Sequence, residues 1–590
     1  MARRVDALAV RLVHEQGGVP VTAALAPAPG PGAGTVQRTV RHLVVYTLLF
    51  VLVCIAASGA AALVGRLFGI GSEFVAGDVA GLAQGFAFFL IGGPLAAVLW
   101  WSVWRRLAEP AERSSLAWGL YVAAMYVVSM IISTTSLLAT LSELIAGRTA
   151  GWGMTIGGAL VWGTVWFGHR WMWRHAGKGP LRLAQVPTVA GTVYGLVIGT
   201  GGSVTALAAL FDSAVDSLTG TTAVGKPWWV FALQALAWAV AGILLWQWHW
   251  IHEGGKRLRS RLADVALVVA GVLGASVLAV TGWGTLLFII LRLAFDRSEP
   301  VGDLLEPLGF AVAAAAVGTV VWLYHSSVAT GRAEATREGA RLVVCGVALA
   351  AAATGIGVVV NSLLALAGTT LAGTDPRTLL LGGISALVVG GPLWWRSWQP
   401  GKPGRAAAAP AEPAGRRVYL ITVFGVSAVV ALVTLLVIGY RVFELLLDGT
   451  TPGSLVDRIR APFGLLAATG LVAGYHFSAW RHERPAVPAR APGRSRPIGH
   501  IVLVAAGDPE PWRRAAEEMT GARVTVWTRA GSQQLPVAGR EGPEQAGGEG
   551  PEQEESEAAR LERALVDILA ERVLVIAGPD SRLEVIALAD

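Results

Sequence analysis

The chain is poor in charge and nearly free of cysteine. Only 15% of its 590 residues are Asp, Glu, Lys or Arg, against about a quarter in an average soluble domain. The two cysteines, Cys54 and Cys345, both fall inside apolar runs. That excludes a disulfide framework and a cysteine-based zinc site. A removable leader is also missing from the expected place. Arg3 and Arg4 are followed by a mixed polar stretch and a Pro/Gly segment, Ala26 to Gly34, and the first long apolar run starts only near His42, too far in for a signal peptide. The C-terminal part has neither a G-x-G-x-x-G nor a P-loop pattern, which argues against nucleotide binding there. No catalytic constellation is present, and the chain is expected not to be an enzyme.

What is abundant is apolar sequence. Hydrophobic residues make up 54% of the chain. A bilayer core about 30 Å thick needs roughly 20 apolar helical residues. Runs of that length lie near 42–65, 81–103, 117–139, 154–173, 188–211, 228–250, 262–287, 304–325, 342–366, 378–398, 418–440 and 460–480. A lone strand leaves its backbone unsatisfied in lipid, so each run is expected to be a helix. The expected fold is therefore an all-α polytopic membrane protein of about twelve transmembrane helices, with a small C-terminal cytosolic α/β domain.

The runs come in pairs that recur every roughly 65 to 80 residues, which marks a repeat architecture of six helical hairpins. Several copies end alike, in Trp166-Phe-Gly-His169, Trp246-Gln-Trp-His249 and Trp322-Leu-Tyr-His325. The sixth reads Ala473-Gly-Tyr-His476. The first and fifth break the series with Trp101-Ser-Val-Trp104 and Trp394-Trp-Arg-Ser397.

Charge and tryptophan orient the pairs. Lys and Arg crowd the N-terminus, the loops between pairs and the segment after the last run, as in Arg105 and Arg106, Arg170 and Arg174, Lys256 to Arg261 and Arg481 to Arg496. The loops within pairs carry acids instead: Asp212, Asp216, Asp296, Glu299, Asp303 and Glu306. The positive-inside rule then places both termini in the cytoplasm. Many tryptophans, among them Trp100, Trp101, Trp166, Trp246, Trp322, Trp394 and Trp480, sit at the cytoplasmic ends of even-numbered runs, where an amphipathic indole rests at headgroup level.

The domain division expected is a cytoplasmic segment 1–40 with a short amphipathic helix, Val5 to His14, a membrane domain 41–484 and a basic linker 485–499. An α/β domain follows at 500–590 with a disordered insert 530–556. The tail alternates strand-like and helix-like stretches, with Asp508 placed as a helix N-cap. Its acidic balance argues against nucleic acid.

Among candidate sites, His169, His249, His325 and His476 come first. Neutral imidazole is a good metal or haem ligand, yet no acidic residue lies near them in sequence. The preferred reading is four separate interfacial residues in a hydrated layer, each hydrogen-bonded to a headgroup or a carbonyl. No metal or cofactor is expected, and His→Asn changes should cost within roughly 0.5 kcal/mol. Gly191, Gly195 and Gly199 form a close-packing face. Gly92-Gly93-Pro94 and Gly390-Gly391-Pro392 should kink their helices. Asn361 and Ser133 to Ser136 are the polar groups at mid-run, and Arg441 and Glu444 are spaced to pair. Buried ionisable residues are otherwise scarce, which speaks against a coupled pump.

The repeat, with its helix start Arg417-Val-Tyr419 and its Trp-x-x-His ends, resembles the bacterial domain-of-unknown-function 5671 family of multi-pass membrane proteins over about residues 38–484. The resemblance implies a bacterial inner-membrane protein and supplies no activity. The function expected is a non-enzymatic membrane-embedded interaction or sensory module. Its partners would be the lipid bilayer and, through self-association or the C-terminal domain, a protein. A transporter of an uncharged or amphipathic solute is the alternative, and a haem- or metal-binding membrane protein comes third.

Overall fold

The computed structural model describes residues 33–69, 79–148, 152–220, 227–296, 299–366, 375–398, 414–447, 454–483, 498–505, 509–528, 561, 563–565, 568, 570–577 and 583–588. The N-terminal helix expected at Val5 to His14, the Asp508 cap and the insert 530–556 lie outside them. The chain forms two compact units, Met1–Glu483 and Arg484–Asp590.

Every apolar run falls on a helix. In the first unit these are α1 (Ala33–Phe68), α2 (Val79–Arg106), α3 (Leu116–Ile145), α4 (Trp152–Arg174), α5 (Val186–Thr219) and α6 (Trp228–His252). They continue with α7 (Arg261–Phe295), α8 (Leu308–Thr330), α9 (Glu334–Leu366), α10 (Pro376–Ser397), α11 (Ala414–Leu447) and α12 (Leu455–Glu483). Local chemistry sets several ends. Ser115 accepts from the Trp118 N–H at 3.2 Å to cap α3, and Ser260 accepts from Ala263 at 3.3 Å to cap α7. Asp375 caps α10 with Pro376 next to it, where a missing N–H costs nothing. Gly220, at φ 71°, ends α5 in the left-handed conformation that glycine adopts freely.

Among the described residues, ten of these helices are long and apolar enough to cross a membrane. α4 and α12 do not reach that measure. Glycines and amphipathic tryptophans dilute α4, and Asp457, Arg458 and Arg460 open α12. Surfaces of the long helices are rich in large apolar side chains, such as Leu90, Val98, Val320, Val429 and Leu436. Their exposure suits hydrocarbon and not water. The chain is a multi-pass membrane protein.

Consecutive helices pack as pairs, α1 with α2, α3 with α4, and so on to α11 with α12. Further contacts join α1 to α4, α3 to α6, α5 to α8, α7 to α10 and α9 to α12. The close-packing face of α5 is used as its spacing suggests. Gly195 lies against the Trp246 backbone, Gly199 against Gly242 and Gly202 against Ala239. Both Gly-Gly-Pro helices run unbroken through Pro94 and Pro392. Their first glycines carry the packing, Gly92 against Ile55 and Ala56, Gly390 against Ala348 and Ala352. Two π-helical stretches interrupt the regular helices, at Trp248–His252 in α6 and Leu267–Gly274 in α7.

Among its described residues the second unit holds one four-stranded sheet with a helix packed on it, as the alternation of strand-like and helix-like stretches suggests. Its strands are β1 (His500–Ala505), β2 (Arg523–Thr528), β3 (Arg572–Ala577) and β4 (Leu583–Leu588), in the order β2-β1-β3-β4. β1 runs parallel to both neighbours and β4 antiparallel to β3. Alternation in β1 and β3 buries Ile501, Leu503, Val573 and Val575 on one face. There they meet Trp512 and Ala516 of α13 (Glu510–Thr520), with Leu561 and Leu565. On the surface of α13, hydrogen bonds from Arg513 and Arg514 hold the Glu510 carboxyl down at about 2.

Candidate functional site

The four repeated histidines are not in a hydrated layer. His169 is 5% exposed, His325 3%, and His249 and His476 0%. The interfacial expectation fails for a packing reason, because each imidazole turns inward between helices; of the flanking tryptophans, Trp171 and Trp248 are exposed while Trp250 is buried with them.

All four solve the first half of their hydrogen bonding identically. Nδ1 lies 2.8 Å from the carbonyl one turn back, at Val165, Leu245, Val321 and Val472. A carbonyl only accepts, so Nδ1 carries the proton and Nε2 presents a lone pair. This is the orienting contact that a search for nearby acids misses, since a helix supplies its own carbonyl at i−4. The signal in the sequence was the helical setting itself.

The second half divides them. The Tyr121 hydroxyl donates to Nε2 of His169 at 3.1 Å, and the Tyr126 hydroxyl to Nε2 of His249 at 2.8 Å. Nε2 of His325 and of His476 has no protein partner. Those two sit in matching aromatic surroundings. Trp250 Nε1 donates to the Tyr324 hydroxyl at 2.9 Å beside His325, and Trp398 Nε1 to the Tyr475 hydroxyl at 2.6 Å beside His476. The rings of Trp250 and His325 are 5.8 Å apart, those of Trp398 and His476 5.6 Å.

Glycine makes the room. A β-carbon at Gly191 would collide with the His249 ring, and one at Gly271 would fall 2.7 Å from Cδ2 of His325. Gly271 lies in the π-helical stretch of α7 and His249 in that of α6. Both irregular turns therefore occur where an imidazole is accommodated, as π-turns often do at specialised positions. Beside His325 a narrow crevice, lined also by Thr192, Trp250 and Gly255, has a volume of about 20 Å³, room for about one water.

Charges lock the same end of the helices. Glu253, 2% exposed, is paired with both Arg170 and Arg174 of α4. Arg332, with a side chain 1% exposed, bonds Asp264 at 3.1 Å and the Lys256 carbonyl at 3.0 Å. At the other end, Arg292 meets Asp296 at 3.4 Å and Glu299 at 3.1 Å, while Thr378 donates to Asp296 at 2.6 Å. None of these pairings was foreseen. Arg441 and Glu444 do pair, at 3.2 Å.

The other mid-helix polar groups serve packing. Ser133 donates to the Ala159 carbonyl of α4, and Thr134 and Thr135 turn back to their own helix. The Asn361 side-chain oxygen is buried without a partner. Among the described residues no group of three or more His, Cys, Asp or Glu is placed to hold a metal. The four imidazoles have separate surroundings.

The family described as a domain of unknown function, DUF5671, matches the chain twice, over residues 42–168 and 340–471. Each match takes in four consecutive helices, most of α1 to α4 and of α9 to α12. The two matched stretches share landmarks at one interval: the Gly-Gly-Pro triplets, Trp100 with Trp398, and Tyr121 with Tyr419. Tyr121 faces His169 as Tyr419 faces His476, with ring centres 5.6 and 6.0 Å apart. No curated protein and no solved structure matches the chain.

Proposed function

We propose that this chain, which matches DUF5671 in two four-helix stretches, is a bacterial inner-membrane protein of six helical hairpins acting as a non-enzymatic interaction or sensory module. All twelve helices span the bilayer, and both termini are cytoplasmic. Lys and Arg recur at one end of every hairpin, which supports this orientation. The observation that carries the non-enzymatic reading is the use of the repeated polar residues. Each histidine is fixed by its own helix and wedged among aromatic rings of a neighbour, and two have their second nitrogen closed by a tyrosine. Groups committed to packing in this way hold helices together.

The partners proposed are the bilayer itself and a protein met through self-association or the C-terminal sheet unit. The visible spectrum, metal content and chelator response of the purified protein test this reading. A colourless, metal-free protein whose melting temperature ignores chelator is expected. A chelator-sensitive melting temperature that disappears in His249→Asn would overturn it, because metal binding contributes directly to folded-state stability.

A second reading, carriage of a neutral amphipathic solute, is favoured by one feature. A groove between α7, α9 and α10 brings hydroxyl groups to the middle of the helices.

A further inference from the structure

Three grooves of similar size open on the described surface of the helical unit; a mostly apolar one of about 320 Å³ lies between α11 and α12, and the other two bear comparison. One, of about 330 Å³, lies between α1, α2 and α4 and is lined by Val53, Ala57, Phe89 and other apolar groups. The other, of about 350 Å³, lies between α7, α9 and α10 and is lined partly by Thr281, Thr285, Thr354 and Ser385, with Phe288 at one end. Both volumes are in the range of small-ligand sites. The difference is the hydroxyls. At the interval that superposes the Gly-Gly-Pro triplets, Thr354 stands where the first DUF5671 match has Ala56.

A helical threonine in an apolar setting ordinarily turns its hydroxyl back to the carbonyl four residues earlier. Thr134, Thr135, Thr164, Thr434 and Thr469 all do so here. Thr281, Thr285 and Thr354, which line the groove, make no such hydrogen bond. Ser385 is committed to the Gly284 carbonyl and keeps acceptor capacity. Unsatisfied hydroxyls facing hydrocarbon cost free energy, which a hydrogen-bonding occupant would recover.

The mouth of the groove sets the charge of that occupant. The Arg292 guanidinium lies 5.7 Å from the Phe288 ring centre. It is already answered by Asp296 and Glu299. Among the described residues, this guanidinium is therefore not a spare cation for a phosphate or carboxylate.

We infer that the α7–α9–α10 groove is a binding site for a neutral lipid-phase amphiphile, with hydroxyl or ester-carbonyl groups against Thr281, Thr285 and Thr354 and its apolar tail along the helices. Diacylglycerol has this chemistry. The inference rests on the reading that these helices span the bilayer.

The test uses full-length protein in phosphatidylcholine vesicles carrying a photoactivatable diacylglycerol or, in parallel, a photoactivatable phosphatidylcholine. Adducts are mapped by mass spectrometry. Diacylglycerol adducts should concentrate on 281–288, 354 and 382–389, at least fivefold over the apolar α1–α2–α4 groove and over α11. The near-isosteric variant T281V/T285V/T354V should lose that excess while keeping the melting temperature of the wild type or exceeding it. Phosphatidylcholine should show no such excess. Even labelling of all lipid-facing helices, or an excess that survives in the triple variant, would overturn the site while leaving the membrane reading intact. Absence of adducts on α11 as well would instead overturn the membrane reading.

Discussion

A single ring nitrogen separates the repeated histidines into two kinds. His169 and His249 have both nitrogens bonded, while His325 and His476 keep an acceptor with no protein partner. Removing the Tyr126 hydroxyl strands a buried acceptor on His249, which costs about 1–3 kcal/mol. Tyr126→Phe should therefore lower the melting temperature in detergent. Tyr440→Phe, on the exposed end of α11, should leave it within error. Equal melting temperatures for the two variants would show that the Tyr126–His249 contact adds nothing. The sequence displayed these histidines plainly through their repeat. It did not display their burial, because a Trp-x-x-His helix end reads the same whether the imidazole faces lipid headgroups or a neighbouring helix. Tyr121 and Tyr126 are far from their partners in the chain, and no local pattern announces such a contact.

Helices meet here through matched small and large residues, and their pairing is where sequence reasoning reached furthest. Apolar length located the long helices, and the spacing of Gly191, Gly195 and Gly199 foretold a close-packing face, which the structure sets against α6. Hidden from view were the π-helical turns and the clamp on Glu253, which depend on which helix ends come together in space. The Gly191–His249 contact makes the pairing testable. Gly191→Ala drives a methyl group into the imidazole, and overpacking of this kind costs about 1–3 kcal/mol. His249→Ala clears that space, so the double variant should be more stable than the sum of the two single losses predicts, by about 1 kcal/mol or more. Strict additivity in thermal unfolding would contradict the contact. The α4–α6 clamp gives a second test. Glu253→Gln leaves Arg170 and Arg174 facing one another without their anion. A loss of about 2 kcal/mol is expected, below the 3–5 kcal/mol of fully buried pairs because the Arg174 side chain is about half exposed. A variant as stable as wild type by thermal unfolding would show that the pairing is not a clamp.

For the molecule as a whole, composition was enough to read the class, and the recurrence of charge was enough to propose an orientation. The sheet unit was legible as alternating strands and helices but not as one mixed sheet, since strand order and the antiparallel β4 are set by packing that no single stretch reports. The central claim is that hairpins cross the bilayer with their basic ends inside. Cysteine accessibility in intact cells tests it most directly, with Cys54 and Cys345 replaced by serine and single cysteines placed at Ala108, Ser217 and Ser298. An impermeant thiol reagent added from outside should label Ser217→Cys and Ser298→Cys, and should label Ala108→Cys only after the membrane is opened. Labelling of Ala108→Cys in intact cells, with Ser217→Cys and Ser298→Cys protected, would contradict the account.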